Sequence, residues 1–190
     1  MTAASGLVHE EFHSPEFAQQ GGAFEMVQLW VNLPAVHKAA PPAYQSITAD
    51  QIPTVDLPQD IGTARIIAGC YGTVTGPAHT FTPMNVWDLR LNAGQGVTLD
   101  LPEGHTAALF VLQGSLRIDA VNVEAAEMAV FERSGKELLF DVPAVATVLL
   151  LSGEPINEPI VGHGPFVMNS EAEIRQAIND YKSGRFGQIV

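Results

Sequence analysis

Through the middle of this chain apolar residues alternate with polar ones or gather in short unbroken runs, and turn-forming residues interrupt them at short intervals. The segments 27–32, 63–69, 86–91, 96–101, 106–113, 115–121, 128–131, 136–140 and 146–151 are each four to eight residues long and rich in Val, Ile, Leu, Phe and Thr. Gly, Pro, Asn or Asp separates them, the pattern of an antiparallel sandwich or barrel. Leu109 to Leu116 reads as a hairpin, with Gly114 as its turn and with Leu116 and Ile118 alternating with Arg117 and Asp119.

Two stretches depart from that rhythm. Residues 34–58 carry Pro34, Pro41, Pro42, Pro53 and Pro58, which favour extended or turn structure over paired central strands and suggest a crossover between structural units. From Ser170 to Lys182 the period changes to that of a helix. Ser170 and Glu173 form a capping box, Ile174, Ala177, Ile178 and Tyr181 share one face, and Gly184 supplies the stop.

Composition narrows the function classes. The 190 residues are 46% hydrophobic and 16% charged, below the roughly 25% typical of globular chains, and the net charge is -12. Such a charge repels phosphate backbones and anionic lipid, so neither nucleic acid nor a membrane is expected as a direct partner. The longest apolar run, 142–151, is too short to span a bilayer. A single cysteine, Cys70, excludes an internal disulfide and is expected to be a small buried residue; a reducing cytoplasm is the expected location.

The chemistry concentrates near the start, in Val8-His9-Glu10-Glu11-Phe12-His13. On extended backbone His9, Glu11 and His13 would point the same way, bringing together two imidazoles and a carboxylate, group types that bind a non-haem metal ion. His13 is the weakest member, because Pro15 follows closely and a turn could divert it. His105 reads as a structural turn residue, and His37, His79 and His163 stand isolated in sequence. Trp30 and Trp87, each in a strand-like run, are expected in the core. The chain has no Gly-x-Ser-x-Gly elbow, no phosphate-binding Gly-rich loop and no dinucleotide fingerprint.

Several short motifs, in this order, resemble the pirin family: Gln28-Leu29-Trp30-Val31-Asn32-Leu33-Pro34, Tyr44-Gln45, Pro102-Glu103-Gly104-His105, Gly164-Pro165-Phe166-Val167-Met168-Asn169 and Ser183-Gly184-Arg185-Phe186-Gly187. The resemblance implies a bicupin, two jelly-roll barrels with one metal in the N-terminal barrel. It also implies that three histidines and one glutamate hold that metal, two of the histidines from an upstream His-x-His element and the rest from a late His-x-Glu element. His9 and Glu11, within Ala4-Ser5-Gly6-Leu7-Val8-His9-Glu10-Glu11, match the late element, and the upstream element has no counterpart here.

The expected fold is therefore all-β: a cupin-type jelly-roll barrel with remnant strands of a second cupin barrel and a C-terminal helix, as in a pirin lacking most of its N-terminal barrel. The corresponding division is 1–33 as the remnant, 34–58 as the crossover, 59–160 as the C-terminal barrel and 161–190 as the closing segment. Two functions are implied. One is a non-catalytic cupin module with an incomplete metal site, open to a protein partner and to self-association through the orphaned strand at 6–12. The other is a metal-dependent dioxygenase acting on a flavonol such as quercetin, a small aromatic substrate. It would use a divalent metal, iron first and nickel, copper, manganese or zinc as alternatives, held by His9, Glu11 and His13, with Glu11 doubling as the base. In the first case the chain alone would hold no metal.

Overall fold

The computed structural model describes residues 1–188, which fall into two compact units: Gln45–Pro155, and residues 1–44 together with the chain from Ile156 onward. The first unit is the barrel. Its early strands are β1 (Thr54–Leu57), β2 (Gly62–Ala68), the short pair β3 (Cys70–Tyr71) and β4 (Val74–Thr75), β5 (Met84–Leu91) and β6 (Gln95–Asp100). The later ones are β7 (Thr106–Gln113), β8 (Ser115–Ile118), β9 (Val121–Glu124), β10 (Met128–Phe131), β11 (Glu137–Val142) and β12 (Ala146–Gly153). Six of them form a sheet in the order β1-β2-β5-β12-β7-β10, and four form a second sheet in the order β6-β11-β8-β9.

The two sheets share one core. Ile66, Trp87, Leu89, Leu109, Val111, Val148 and Leu150 come from the large sheet, and Val97, Leu99, Leu116, Val123, Leu138 and Phe140 from the small one. Each set is spaced by two along its strands, so the alternation legible in the sequence becomes the inner face of a jelly-roll sandwich. β12 is buried along nearly its whole length and pairs antiparallel with β5 on one side and β7 on the other. Strand β1 lies at an edge, flanked by Pro53 and Pro58, where missing backbone donors do least harm.

The hairpin expected at 109–116 does not form. Strand β7 pairs with β12 and β10, whereas β8 pairs with β11 and β9, so Gly114 is a corner where the chain passes from one sheet to the other. Its φ is 78°, and a Cβ there would lie 2.3 Å from the Val145 carbonyl oxygen, leaving room for glycine alone. The tight hairpin is β8–β9, whose register places Ile118 opposite Val121 across a turn at Asp119, φ 51°.

Cys70 also departs from expectation. It is exposed, because Gly69 (φ 76°) turns the chain out of β2 into the small β3–β4 ladder.

The second unit contains α1 (Pro15–Gln20), α2 (Ala35–Lys38), the hairpin β13 (Val161–His163) with β14 (Phe166–Met168), and α3 (Glu171–Lys182). The helix at the end matches the expected span. Ser170 Oγ accepts from the Glu173 N–H at 3.3 Å, Ile174 and Ala177 are buried, and Gly184 follows the cap with φ 76°. Phe166, Tyr181 and Phe186 form an aromatic trio with ring centroids 6.1 to 6.4 Å apart. The strand expected at 27–32 is absent; the segment lies outside any strand or helix, and Trp30 is 64% exposed rather than in a core. Among the described residues no strand pairs with that segment, so its alternation has no opposing sheet to bury against.

Leu150, fully buried on β12, should be costly to truncate: Leu150→Ala is expected to lower unfolding stability by about 2–5 kcal/mol. Leu139→Ala, on the exposed face of β11 at 59% exposure, should change it by less than about 0.5 kcal/mol. Urea denaturation of both variants measures the contrast, and equal losses would contradict this account of the core.

Candidate functional site

The first eight residues are tied down. Thr2 and Ala43 exchange backbone hydrogen bonds at 2.7 and 3.0 Å, Ser5 N–H donates to the Ala40 carbonyl at 3.0 Å, and Val8 N–H donates to the Phe186 carbonyl at 3.1 Å. Gly6 completes the anchorage. With φ 112°, it sits against the Phe186 ring so closely that a Cβ would fall 2.3 Å from it.

Beyond Val8 the backbone is unbonded through residue 13, among the described residues, until Ser14 caps α1 by accepting from the Phe17 N–H at 3.1 Å. The run that carries the candidate chemistry is thus an open loop hung from a fixed point, not a strand. A shallow concavity of about 610 Å³ lies along it, lined by Met1, residues 7–12, and Pro42, Ala43 and Tyr44.

Within this loop the three candidate ligands separate. His9 Nδ1 and Glu11 Oε1 lie 3.9 Å apart, with their side chains 45% and 64% exposed, so these two do face the same way. His13 does not join them. Its ring stacks edge-on against Phe24 at 4.7 Å and tilts against Phe17 at 5.5 Å, in a small aromatic cluster around α1. Among the described residues no three His, Cys, Asp or Glu side chains converge on a point that could hold a metal ion.

One polar cluster of this unit had no clear signal in the sequence. Lys38 is buried, and its Nζ donates to Asn32 Oδ1 at 2.7 Å and to the Val167 carbonyl at 3.0 Å. Glu158 Oε2 accepts from the Ala35 N–H at 2.7 Å and from Asn169 Nδ2 at 3.0 Å, while Glu173 Oε2 accepts from the Asn169 N–H at 3.1 Å. Burial pushes Lys38 below the ordinary lysine value, against the pull of Glu158 and Glu173. Asn169 Oδ1 is buried without a partner among the described residues. The hint in the sequence was Asn169 immediately before the Ser170 cap, but Lys38 and Ala35 lie 129 and 123 residues along the chain from their partners Val167 and Glu158.

In the barrel unit, His105 Nδ1 lies 3.4 Å from Ser152 Oγ, which accepts from Asn85 Nδ2 at 3.2 Å. His79 is held through its backbone, whose N–H and C=O both bond the Gln45 side chain.

Comparison with known proteins fits this geometry into a family. Residues 86–187, more than half of the chain, match the pirin C-terminal cupin domain. The chain belongs to the pirin family. A Pseudomonas aeruginosa protein named "Putative quercetin 2,3-dioxygenase" is 50% identical over 98% of this pirin chain and 65% of its own length. A protein of the same name from Thermoplasma acidophilum is 33% identical over 98% of the chain and 77% of its own.

The crystal structure of a quercetin 2,3-dioxygenase from Acinetobacter baumannii superposes with a TM-score of 0.89 at 48% identity, covering 94% of the pirin chain and 62% of that one. The chain thus spans about two thirds of the length of most curated relatives it matches. No helix among the described residues is long and apolar enough to cross a membrane.

The donor set can be tested against a metal. A working centre needs three or four protein ligands, and the pirin loop offers His9 and Glu11 with His13 diverted into stacking. These residues by themselves do not fit a closed metal site.

Two outcomes follow. Because the His9–Glu11 pair is exposed and lies outside any core, His9→Ala and Glu11→Ala should each change unfolding stability by no more than about 0.5 kcal/mol in urea melts; a large loss would mean that the loop serves architecture. Lys38 gives a pH signature. Its folded pKa is lowered, so between that value and the unfolded value near 10.5 the unfolded chain binds more protons, and raising the pH stabilises the fold. The stability difference between the parent and Lys38→Met should shift in the parent's favour as pH rises from about 7 toward about 10; a flat difference would show that burial does not perturb this group.

Proposed function

We propose that this pirin-family chain, on its own, is a non-catalytic cupin module that presents two donors of an incomplete divalent-metal site. The observation that carries this reading is the divergence within the loop: His9 and Glu11 approach to 3.9 Å, and His13 packs on Phe24 instead. Two exposed donors hold a first-row divalent ion weakly, because each missing ligand is replaced by water. The barrel offers no alternative metal site, its interior being filled by apolar side chains such as Trp87, Leu109 and Leu150. A reducing, cytoplasmic setting suits the free, exposed thiol of Cys70.

A second reading is favoured by the relatives. The protein named "Putative quercetin 2,3-dioxygenase" that is 50% identical over almost the whole chain supports an oxygenase acting on a flavonol once further donors complete the site. Iron is the first candidate metal, with nickel, copper, manganese and zinc behind it. A bound divalent metal would supply Lewis acidity for the substrate's enolate oxygen. The chain's own contribution would be Glu11, exposed enough to take a hydroxyl proton, and the concavity of about 610 Å³ beside it, where Tyr44 and Phe12 could flank an aromatic ring.

The two readings separate in one experiment. The purified chain is dialysed against iron(II), nickel(II) and copper(II), its metal content is measured, and quercetin absorbance is followed in air. The expected result is well under one equivalent of each metal, lowered further by His9→Ala, with quercetin absorbance unchanged. Near one equivalent of any metal together with loss of the quercetin band would overturn the non-catalytic reading and establish the oxygenase.

A further inference from the structure

Large apolar side chains fill the barrel as far as the level of Trp87, Leu150 and Leu109, which stand side by side across β5, β12 and β7. The next inward-facing positions on the same three strands are Asn85, Ser152 and Ala107, also side by side and all buried. At this end of the barrel the interior is therefore small and polar, and buried polar groups are costly unless they are bonded.

Their hydrogen bonds form a chain. The Cys70 N–H donates to Asn85 Oδ1 at 3.1 Å, which fixes the orientation of that amide. Asn85 Nδ2 then donates to Ser152 Oγ at 3.2 Å, and the hydroxyl hydrogen of Ser152 is left for His105 Nδ1 at 3.4 Å. Two donors stay unspent among the described residues: the second Nδ2 hydrogen of Asn85, and Trp87 Nε1, which is buried without a partner. Both residues lie on the inner face of β5, two positions apart.

The β3–β4 hairpin closes over this end. The Gly76 N–H donates to the Gly69 carbonyl at 2.9 Å across its base, and Gly69 has φ 76°, where a Cβ would collide with Asn85 Oδ1 and the Met84 carbonyl. From the hairpin Tyr71 and Val74 pack against the core, and the Tyr71 ring meets Trp87 edge-on with centroids 5.4 Å apart.

We propose that this end of the barrel binds a small uncharged carbonyl compound, a ketone or an amide, beneath the β3–β4 hairpin. A carbonyl oxygen has two lone pairs and accepts from both Trp87 Nε1 and Asn85 Nδ2, while the apolar remainder of the ligand lies against Trp87, Tyr71 and Val74. The ligand class follows from the inventory of groups. Both unspent groups are donors, so the ligand brings the acceptor. No lysine or arginine joins the chain from Cys70 to His105, so a carboxylate would be buried there without a counter-charge. The hairpin, latched to Asn85 through Cys70, is the part that moves to admit the ligand.

The test uses the intact chain carrying Trp30→Phe, which leaves Trp87 as the single tryptophan and gives one indole signal in a nitrogen–proton correlation spectrum. Acetone and acetamide are the probes. Each should move the Trp87 indole proton downfield along a saturating curve in the millimolar range, and acetate should not. Asn85→Leu, which keeps the volume and removes the donor, and Ala107→Val, which takes up space beside Ser152, should each weaken binding at least tenfold, so the result does not rest on the folding of one variant. Tyr71→Ala should speed the exchange of acetamide, read from the indole line width.

An indole signal that neither probe moves would overturn the proposal, as would a shift that rises linearly and equally in the parent and both variants. Saturable binding of acetate as tight as that of acetamide would refute the ligand class, and an unchanged exchange rate in Tyr71→Ala would refute the role of the hairpin. Metal content and quercetin turnover do not enter these readouts, and His9 and Glu11 belong to the other unit, so this proposal and the functional reading above fail separately.

Discussion

The barrel depends on the burial of β12 between two antiparallel neighbours and under a second sheet. All eight of its residues pair with β5 on one side and those from Thr147 to Gly153 pair with β7 on the other, with a shift of register after Thr147, and Val148 and Leu150 belong to the shared core. A strand so placed satisfies its backbone groups entirely within the sheet while its side chains leave water, and those two gains come together or not at all. That coupling explains why the sheets close where they do. Gly114 must turn sharply beside Val145, because β7 belongs to the sheet of β12 and β8 belongs to the sheet opposite.

The second unit is built on a different balance. Its apolar content goes partly to the trio Phe166, Tyr181 and Phe186 and to the buried Ile174 and Ala177, and much of what remains is exposed along residues 24–31. What holds it is polar: Lys38, Glu158, Asn169 and Glu173 bridge α2, the β13–β14 hairpin and α3 through hydrogen bonds. Such a network is sensitive to the loss of any member, because a buried group left without its partner keeps its desolvation cost. The candidate metal donors sit on a loop fixed by neither balance.

The legibility of the sequence followed the same division. Strands β7 and β10 and helix α3 fell where the alternation and the capping box placed them, because each has an opposing face to bury and local propensity agrees with it. Residues 27–32 carried the same alternation, and there it misled. Alternation reports a face that wants burial, whereas a strand also needs a neighbour with free hydrogen-bonding groups. The hairpin at Gly114 failed for a related reason, since a glycine between two apolar runs marks a reversal or a change of sheet equally well. At the site, alternation correctly brought His9 and Glu11 together, and it missed that His13 would find Phe24, a contact decided eleven residues further on. The pairing of Lys38 with Val167 was out of reach of any local pattern.

The contact of Gly6 with Phe186 has a bearing on how the molecule comes into being. The barrel is complete in sequence by Pro155, and so can collapse while the ribosome is still translating the remainder. The loop carrying His9 is translated well before its clamp, the Phe186 carbonyl and ring. Until Phe186 is made this loop therefore waits unfixed, and a nascent-chain factor or protease that recognises extended segments meets it in that interval.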